Sequence, residues 1–184
     1  MKIQPRELEQ GWDNLPQYTL KATDTNYTNS HAYGIPYKTD FMKDIKCKIQ
    51  VMKPGDHAQV MKLWKEAEGV NVTKSDDKKG VAKYLKKNPG LSFVAVNEKN
   101  KIIGAVLSGH DGRRAYINHL AVDKAYRGMG IGKALAERCL QKYKKLGMIK
   151  CTLFVFEDND NARNFWQRIG WYIRTDLTMM QKNL

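Results

Sequence analysis

Cysteines are few and long apolar runs are missing from the sequence. Three cysteines stand among 184 residues, and neither their odd number nor their spacing fits a zinc site or a disulfide framework. We expect Cys47, Cys139 and Cys151 to be buried thiols of a protein in a reducing cytoplasm. No run of ~18 apolar residues occurs, and the first ten residues have no apolar core. Neither a membrane span nor a secretory leader is therefore predicted.

Acidic residues are scarce beside basic ones. The 19 Asp and Glu face 32 Lys and Arg, for a formal net charge of +13, and the excess lies entirely in residues 46–184. Such a surplus makes an anionic partner the first hypothesis. The lysine clusters lie at helical spacing opposite apolar residues and without interleaved aromatics, which is typical of solvated helix faces. Nucleic acid is therefore not the favoured partner, and a non-catalytic scaffold that binds an anionic partner or nucleic acid is kept as the alternative function.

Helical and strand periods are both missing from residues 1–45. This segment has six spaced aromatic residues: Trp12, Tyr18, Tyr27, Tyr33, Tyr37 and Phe41. We predict an irregular arm that docks on the body, covers the acceptor groove or forms a homodimer, the alternative being a poorly structured leader. Residues 46–184 are predicted to form one domain.

From residue 45 onward, apolar periodicity predicts the element order βααβββαβαβ. The predicted strands span about 45–51, 91–96, 102–107, 115–122, 151–156 and 177–181. The predicted helices contain residues 60–67, 81–85, the segment after Gly132, and about 161–169. The pattern is that of a mixed α/β domain.

A glycine-rich turn joins the strand 115–122 to the next helix. It reads Arg127-Gly128-Met129-Gly130-Ile131-Gly132-Lys133. Glycines allow close approach of the backbone, and the first turn of a helix has unpaired N–H groups, so a cradle for phosphate or pyrophosphate is predicted. Ala134 stands where a Walker A loop needs Ser or Thr, and the third glycine comes one residue too early for a Rossmann fingerprint. A tight turn that binds no ligand is the alternative.

Together with a later segment, this turn resembles the GNAT superfamily of N-acetyltransferases over residues 46–184. Residues 127–132 are similar to the family's acetyl-CoA signature, R/Q-x-x-G-x-G/A. The later segment is similar to the family pattern N-x-x-A-x-x-[FL]-Y-x-x-x-G-F, and reads Asn159-x-x-Ala162-x-x-Phe165-Trp166-x-x-x-Gly170-Trp171. The resemblance implies an α/β fold of the α+β type, the GNAT fold. Its mixed central sheet would be splayed between the fourth and fifth strands and flanked by about four helices.

The resemblance further implies acetyl-CoA as co-substrate and no metal ion. The pantetheine would pair with the exposed edge of the fourth strand, and the pyrophosphate would lie on the glycine-rich turn. The binding residues implied are Leu120, Ala121, Val122, Arg127, Gly128, Met129, Gly130, Ile131, Gly132, Lys133, Asn159 and Ala162.

Catalytic groups are implied in the same way. In the family the oxyanion donor is commonly a backbone N–H of the splayed strand, which here is near Leu120. Many members have a tyrosine general acid where this chain has Trp166, and an indole N–H cannot deliver a proton at neutral pH. Either the thiolate leaves without an acid, or another tyrosine serves: Tyr116, Tyr126 or Tyr172.

The sequence offers several candidates for the general base. Tyr116 and Asn118 occupy positions from which family bases often come, and Glu157 is a candidate that would act through water. Histidine titrates near neutrality, but strand alternation places His119 on the face opposite Asn118 unless a bulge re-aims it. A structural role is therefore expected for His119. A water relay without a dedicated base is a further alternative.

The acceptor is expected between the loop 68–77 and the strand end near residue 157. These segments supply seven acidic residues: Glu66, Glu68, Asp76, Asp77, Glu157, Asp158 and Asp160. We hypothesise an acidic mouth that attracts a cationic amine or a peptide N-terminus, the alternative being helix caps and solvated faces. The predicted activity is transfer of the acetyl group of acetyl-CoA to a primary amine, by direct attack in a ternary complex. The amine would be a small molecule, a peptide N-terminus or a lysine.

Overall fold

A computed structural model describes residues 46–183. The predicted arm, residues 1–45, and its proposed docking or dimerisation lie outside the described residues. The strands are β1 Cys47–Val51, β2 Phe93–Asn97, β3 Ile102–His110, β4 Ala115–Val122 and β5 Cys151–Leu153. The helices are α1 His57–Glu66, α2 Lys78–Lys87, α3 Ile131–Lys145 and α4 Asp160–Arg168. Short 3-10 turns precede α1 and α2 and follow β4, at Pro54–Asp56, Lys74–Asp76 and Lys124–Tyr126.

The five strands form one mixed sheet in the order β1-β2-β3-β4-β5. Neighbours are antiparallel except for β4 and β5, which are parallel. The parallel pairing is short, running from Ala115 opposite Cys151 to Ile117 opposite Leu153. Beyond Ile117 the two strands separate, which confirms the predicted splay between the fourth and fifth strands.

Both faces of the sheet are buried. One face packs on α3 and α4 through side chains such as Leu135, Cys139 and Trp166, and the other packs on α1 and α2 through Val60 and Trp64. The middle strand β3 is buried along all but its last residue. Burial on two sides explains why its sequence is a continuous apolar run and lacks polar alternation.

Two predicted strands differ from the structure. The strand predicted over 151–156 ends at Leu153, because the splay leaves the following residues without a partner on β4. The strand predicted over 177–181 is wrong: residues 171–183 have no strand. Leu177 and Met179 are spaced as in a strand, but Leu177, Met179 and Met180 are at least 60% exposed, and no strand among residues 46–183 pairs with them. Apolar alternation alone predicts a strand only where a sheet edge is available for pairing.

Within residues 46–183, no helix is long and apolar enough to cross a membrane. No group of three or more metal-ligating side chains lies close enough to hold a metal ion in that same range.

Strand β4 contains a β-bulge that decides the geometry of the site. Leu107 pairs with His119 and Ser108 pairs with Ile117, so Asn118 is the extra residue. A bulge interrupts the alternation of side chains. Asn118 and His119 consequently line the same cavity, whereas Ile117 packs into the core on the opposite face. The expectation that His119 lies opposite Asn118 is therefore wrong, and the bulge is the reason.

Candidate active site

A cavity of about 430 Å³ lies between the bulge of β4, helix α2 and the loop that precedes α2. We call it the bulge cavity. Its lining residues are Asn71, Thr73, Ser75, Asp76, Gly80, Val81, Lys83, Tyr84, Lys87, Leu107, Asn118 and His119. Its volume lies in the range of small-molecule binding sites.

A histidine and a buried carboxylate meet in this cavity. His119 Nε2 lies 3.0 Å from Asp76 Oδ1, and Asp76 is 7% exposed. The Thr73 backbone N–H and hydroxyl donate to the other carboxylate oxygen at 2.8 and 3.0 Å. The edge of Trp64, whose ring centroid is 4.8 Å from that of His119, packs on the imidazole. The ring of His119 is thus held from two sides.

Asp76 is held in its charged form. Burial raises the pKa of its carboxyl, but the hydrogen bonds from Thr73 and His119 outweigh burial, and the pKa falls below its ordinary value. An ionised carboxylate only accepts hydrogen bonds, so His119 donates to it through Nε2. The other ring nitrogen, Nδ1, then has the free lone pair. This arrangement suits a base whose tautomer is fixed by a carboxylate.

A tyrosine lies on the α2 side of the cavity. Asn118 Nδ2 donates to Tyr84 Oη at 2.7 Å, which ties the bulge to α2. Burial raises the pKa of Tyr84 to about 12. The phenol therefore keeps its proton at neutral pH and has an O–H of its own to donate.

The glycine-rich turn leaves backbone donors free at the start of α3. The first intrahelical bond runs from the Ala134 N–H to the Gly130 carbonyl at 2.9 Å, so the N–H groups of residues 131–133 precede the helical ladder. Gly128 and Gly130 have φ of 77° and 80°, in the left-handed region, and no further group of residues 46–183 lies within 4 Å of where their Cβ would stand. No side chain from this part of the chain caps α3. The turn thus fits a pyrophosphate by its free donors and by the open space above it.

Some backbone N–H and C=O groups of β4 point toward the splay between β4 and β5. The Asp123 N–H donates to the Ile103 carbonyl on β3 at 2.9 Å. Antiparallel ladders alternate, so the backbone of Ala121 also points to β3, and those of Leu120 and Val122 point to the opposite edge. The Val122 carbonyl accepts from Arg127 Nε at 3.2 Å, which agrees with this direction. This edge, left open by β5, is where the pantetheine is expected.

Basic side chains near the turn are paired. Arg127 Nη1 lies 3.6 Å and Lys124 Nζ 2.7 Å from the carboxylate of Glu68, and Lys133 Nζ lies 3.8 Å from Glu137. The hydrogen bond and charge of Lys124, together with the charge of Arg127, lower the pKa of Glu68. The Val122 carbonyl and the Glu68 carboxylate thus hold the Arg127 side chain beside the turn.

Several predicted site residues lie away from the bulge cavity. The Tyr116 hydroxyl donates to Asp111 at 3.1 Å, and Glu157 is exposed; neither lines the cavity. Trp166 is buried and packs edge-on against Phe165 and Trp171, each at 5.0 Å between ring centroids, which is a packing role. Asn159 caps α4 by accepting from the Ala162 N–H at 3.0 Å.

The hypothesised acidic mouth does not form at the cavity. Asp76 is the one acidic residue of the seven that lines it. Asp77 caps α2 through the Gly80 N–H at 2.6 Å, and Asp160 pairs with Arg163. Glu66 lies 4.0 Å from Lys62, and Glu68 is paired as described above. Helix caps and ion pairs, the alternative interpretation, account for four of the seven carboxylates: Glu66, Glu68, Asp77 and Asp160.

Sequence reasoning missed the pair of Asp76 and His119. The two residues are 43 positions apart, and no local motif contains both. A bulge in β4 would bring His119 to the face of Asn118, but no residue pattern in the sequence marks the position of this bulge.

The fold and the glycine-rich turn before α3 together define an acetyltransferase. The sequence model of the acetyltransferase (GNAT) family matches residues 57–171, and the chain belongs to this family. An acetyltransferase of Sodalis glossinidius (strain morsitans) is 26% identical over 137 residues, which are 74% of this chain and 95% of that protein. The protein is therefore an acetyltransferase of a family that uses acetyl-CoA.

Solved structures agree. Ard1 from Thermoplasma volcanium superposes with a TM-score of 0.62 at 23% identity, over 70% of this chain and 84% of that one, and shows the same fold. The aminoglycoside acetyltransferase meta-AAC0020 from an uncultured soil metagenomic sample, solved in complex with sisomicin, gives a TM-score of 0.60 at 25% identity. It covers 75% of this chain and 96% of its own.

Proposed function

We propose that the protein transfers the acetyl group of acetyl-CoA to a primary amine that occupies the bulge cavity, by direct attack in a ternary complex. The observation that carries this proposal is the contact of 3.0 Å between His119 and Asp76 inside that cavity. The contact supplies a candidate base for the acylation of an amine.

Amine acylation requires a free lone pair on nitrogen. Primary amines are mostly protonated at neutral pH, so a proton must leave before or during attack. In our proposal His119 takes it on Nδ1, and Asp76 stabilises the resulting imidazolium through Nε2. We assign the role of base to His119 in preference to Tyr116, Asn118 and Glu157. Asn118 instead would orient the amine together with Tyr84.

Bound acetyl-CoA supplies the thioester carbonyl that the amine attacks. The Leu120 N–H is the proposed donor to the developing oxyanion, since the backbone alternation directs it to the open edge of β4. The N–H groups of residues 131–133 would bind the pyrophosphate. We propose that the thiolate leaves without a protein acid, because thiols of pKa ~8.5 are adequate leaving groups and Trp166 is committed to packing.

Direct attack is favoured by the state of the cysteines. A double-displacement mechanism needs a nucleophile on the protein, and a thiolate is the usual one in acyl transfer. Burial raises the pKa of Cys47, and it raises the pKa of Cys139 and Cys151 to about 12. All three are therefore protonated thiols at neutral pH, which favours attack by the amine itself.

The test is a panel of primary amines with thiol release and product mass as readouts, followed by initial rates. We expect N-acetyl products and intersecting double-reciprocal lines when both substrates are varied. Incubation with acetyl-labelled acetyl-CoA alone should leave no label on the protein. Parallel lines together with a labelled protein would contradict direct attack, and acetylation of hydroxyls but not amines would contradict the acceptor class.

A further inference from the structure

We propose that the acceptor amine also carries a carboxylate, and that Lys83 and Lys87 bind this carboxylate at the rim of the bulge cavity. The inference rests on the proposed function, because it concerns the acceptor of the same cavity. It reverses the charge expected for the acceptor site from the sequence.

The two lysines share one face of α2 with the tyrosine of the cavity. Lys83 and Lys87 are one helical turn apart, at i and i+4, so their side chains are neighbours. Both line the cavity, and both are exposed. Tyr84, between them in sequence, contacts Asn118 on the bulge. The lysines thus stand on the helix that faces the proposed base across the cavity.

The charges that line the cavity do not cancel. Among residues 46–183, Asp76 is the one acidic residue that lines it, and its two oxygens are taken by His119 and Thr73. Two lysines remain, so the lining that these residues form carries a net positive charge. A plain cationic amine would be repelled from such a site, whereas an amine with a carboxylate would bring the compensating charge.

Neither lysine has an ion-pair partner within residues 46–183. Other lysines do: Lys62, Lys101, Lys124 and Lys133 each lie within 4.0 Å of a carboxylate. A bound carboxylate would give Lys83 and Lys87 charge-assisted hydrogen bonds. The cavity volume of about 430 Å³ suits a small molecule such as an amino acid or a short peptide.

Matched pairs of acceptors test the inference. Each pair is an ω-amino acid or a dipeptide and the same molecule with its carboxylate replaced by a carboxamide. Binding is measured by calorimetry with coenzyme A present, so that it does not depend on turnover. The proteins are the wild type, the variant Lys83→Gln/Lys87→Gln, and the control Lys79→Gln/Lys86→Gln. The control removes the same charge from exposed positions of α2 that do not line the cavity.

In the wild type and in the control, we expect to find pairs whose carboxylate member binds about tenfold more tightly than its carboxamide member. In Lys83→Gln/Lys87→Gln the two members should bind alike. Equal binding of all pairs to the wild type, no binding of any carboxylate, or an equal loss of preference in the control would overturn the inference. Acetyl transfer is followed in parallel: carboxylate binding that depends on Lys83 and Lys87 without any transfer would contradict the proposed function alone.

Discussion

His119 Nε2 and Asp76 Oδ1 lie 3.0 Å apart although 43 positions separate the two residues in the chain. The contact joins the bulge of β4 to the 3-10 turn before α2, at one end of the bulge cavity. Its partners differ in burial: Asp76 is buried, and His119 is half-buried and lines the cavity. A buried carboxylate behind a more accessible imidazole is an arrangement that can hold a proton during catalysis.

Replacement of Asp76 by Asn should destabilise the protein in a pH-dependent way. The pKa of the Asp76 carboxyl lies below its ordinary value of 3.8 in the folded state. A lowered pKa stabilises the fold above that ordinary value, and the stabilisation is lost as the pH falls through the folded pKa. Urea unfolding should show Asp76→Asn less stable by about 1–3 kcal/mol at neutral pH.

The difference between wild type and Asp76→Asn should then shrink below a pH of about 4. A difference that stays constant across this range would mean that the charge of Asp76 contributes nothing to stability.

Replacement of Gly130 by Ala should weaken coenzyme A binding. Gly130 has φ 80°, where a Cβ is strained, and that Cβ would enter the open space above the turn. Gly147 is the matched control, because it has φ 74° and equally open surroundings but follows the other end of α3. Both variants should lose about 1 kcal/mol of stability. Calorimetry should show an affinity at least ~10-fold weaker for Gly130→Ala alone. Equal affinity in the two variants would remove the turn from the binding site.

The three cysteines should resist thiol reagents in the folded protein. Burial raises the pKa of Cys139 and Cys151 to about 12 and also raises that of Cys47. Only the thiolate reacts, so labelling at neutral pH should be at least ~100-fold slower than in urea. Time courses with an aromatic disulfide reagent, with and without urea, measure this directly. Rapid labelling of one thiol in the folded protein would contradict its protonated state and reopen a covalent mechanism.

Much of the fold follows from local pattern. The helices α1 and α3 and the strands β2, β3 and β4 are predicted because apolar spacing reflects which face an element buries. The glycine-rich turn is predictable because left-handed backbone at Gly128 and Gly130 requires glycine. Nothing in these signals depends on distant parts of the chain.

The sequence predictions that differ from the structure concern residues whose position depends on contacts with distant parts of the chain. The sequence predicts a strand over 177–181, whereas residues 171–183 contain none. His119 changes its expected face because Asn118 bulges out of the ladder, a property of the pairing with β3. Four acidic residues of the predicted mouth belong instead to helix caps and ion pairs: Glu66, Glu68, Asp77 and Asp160. Lys83 and Lys87 of α2 line the cavity.

Whether His119 is the base is decided by the pH dependence of acetyl transfer in the wild type and in His119→Gln. His110→Gln is the control, since His110 ends β3 and accepts a hydrogen bond from the Gly112 N–H outside the cavity. We expect His119→Gln to lower kcat/KM about a hundredfold or more and to change its pH profile, whereas coenzyme A affinity and the His110→Gln profile stay as in the wild type. A His119→Gln enzyme with wild-type rates and an unchanged pH profile would contradict the assignment of His119 as the base.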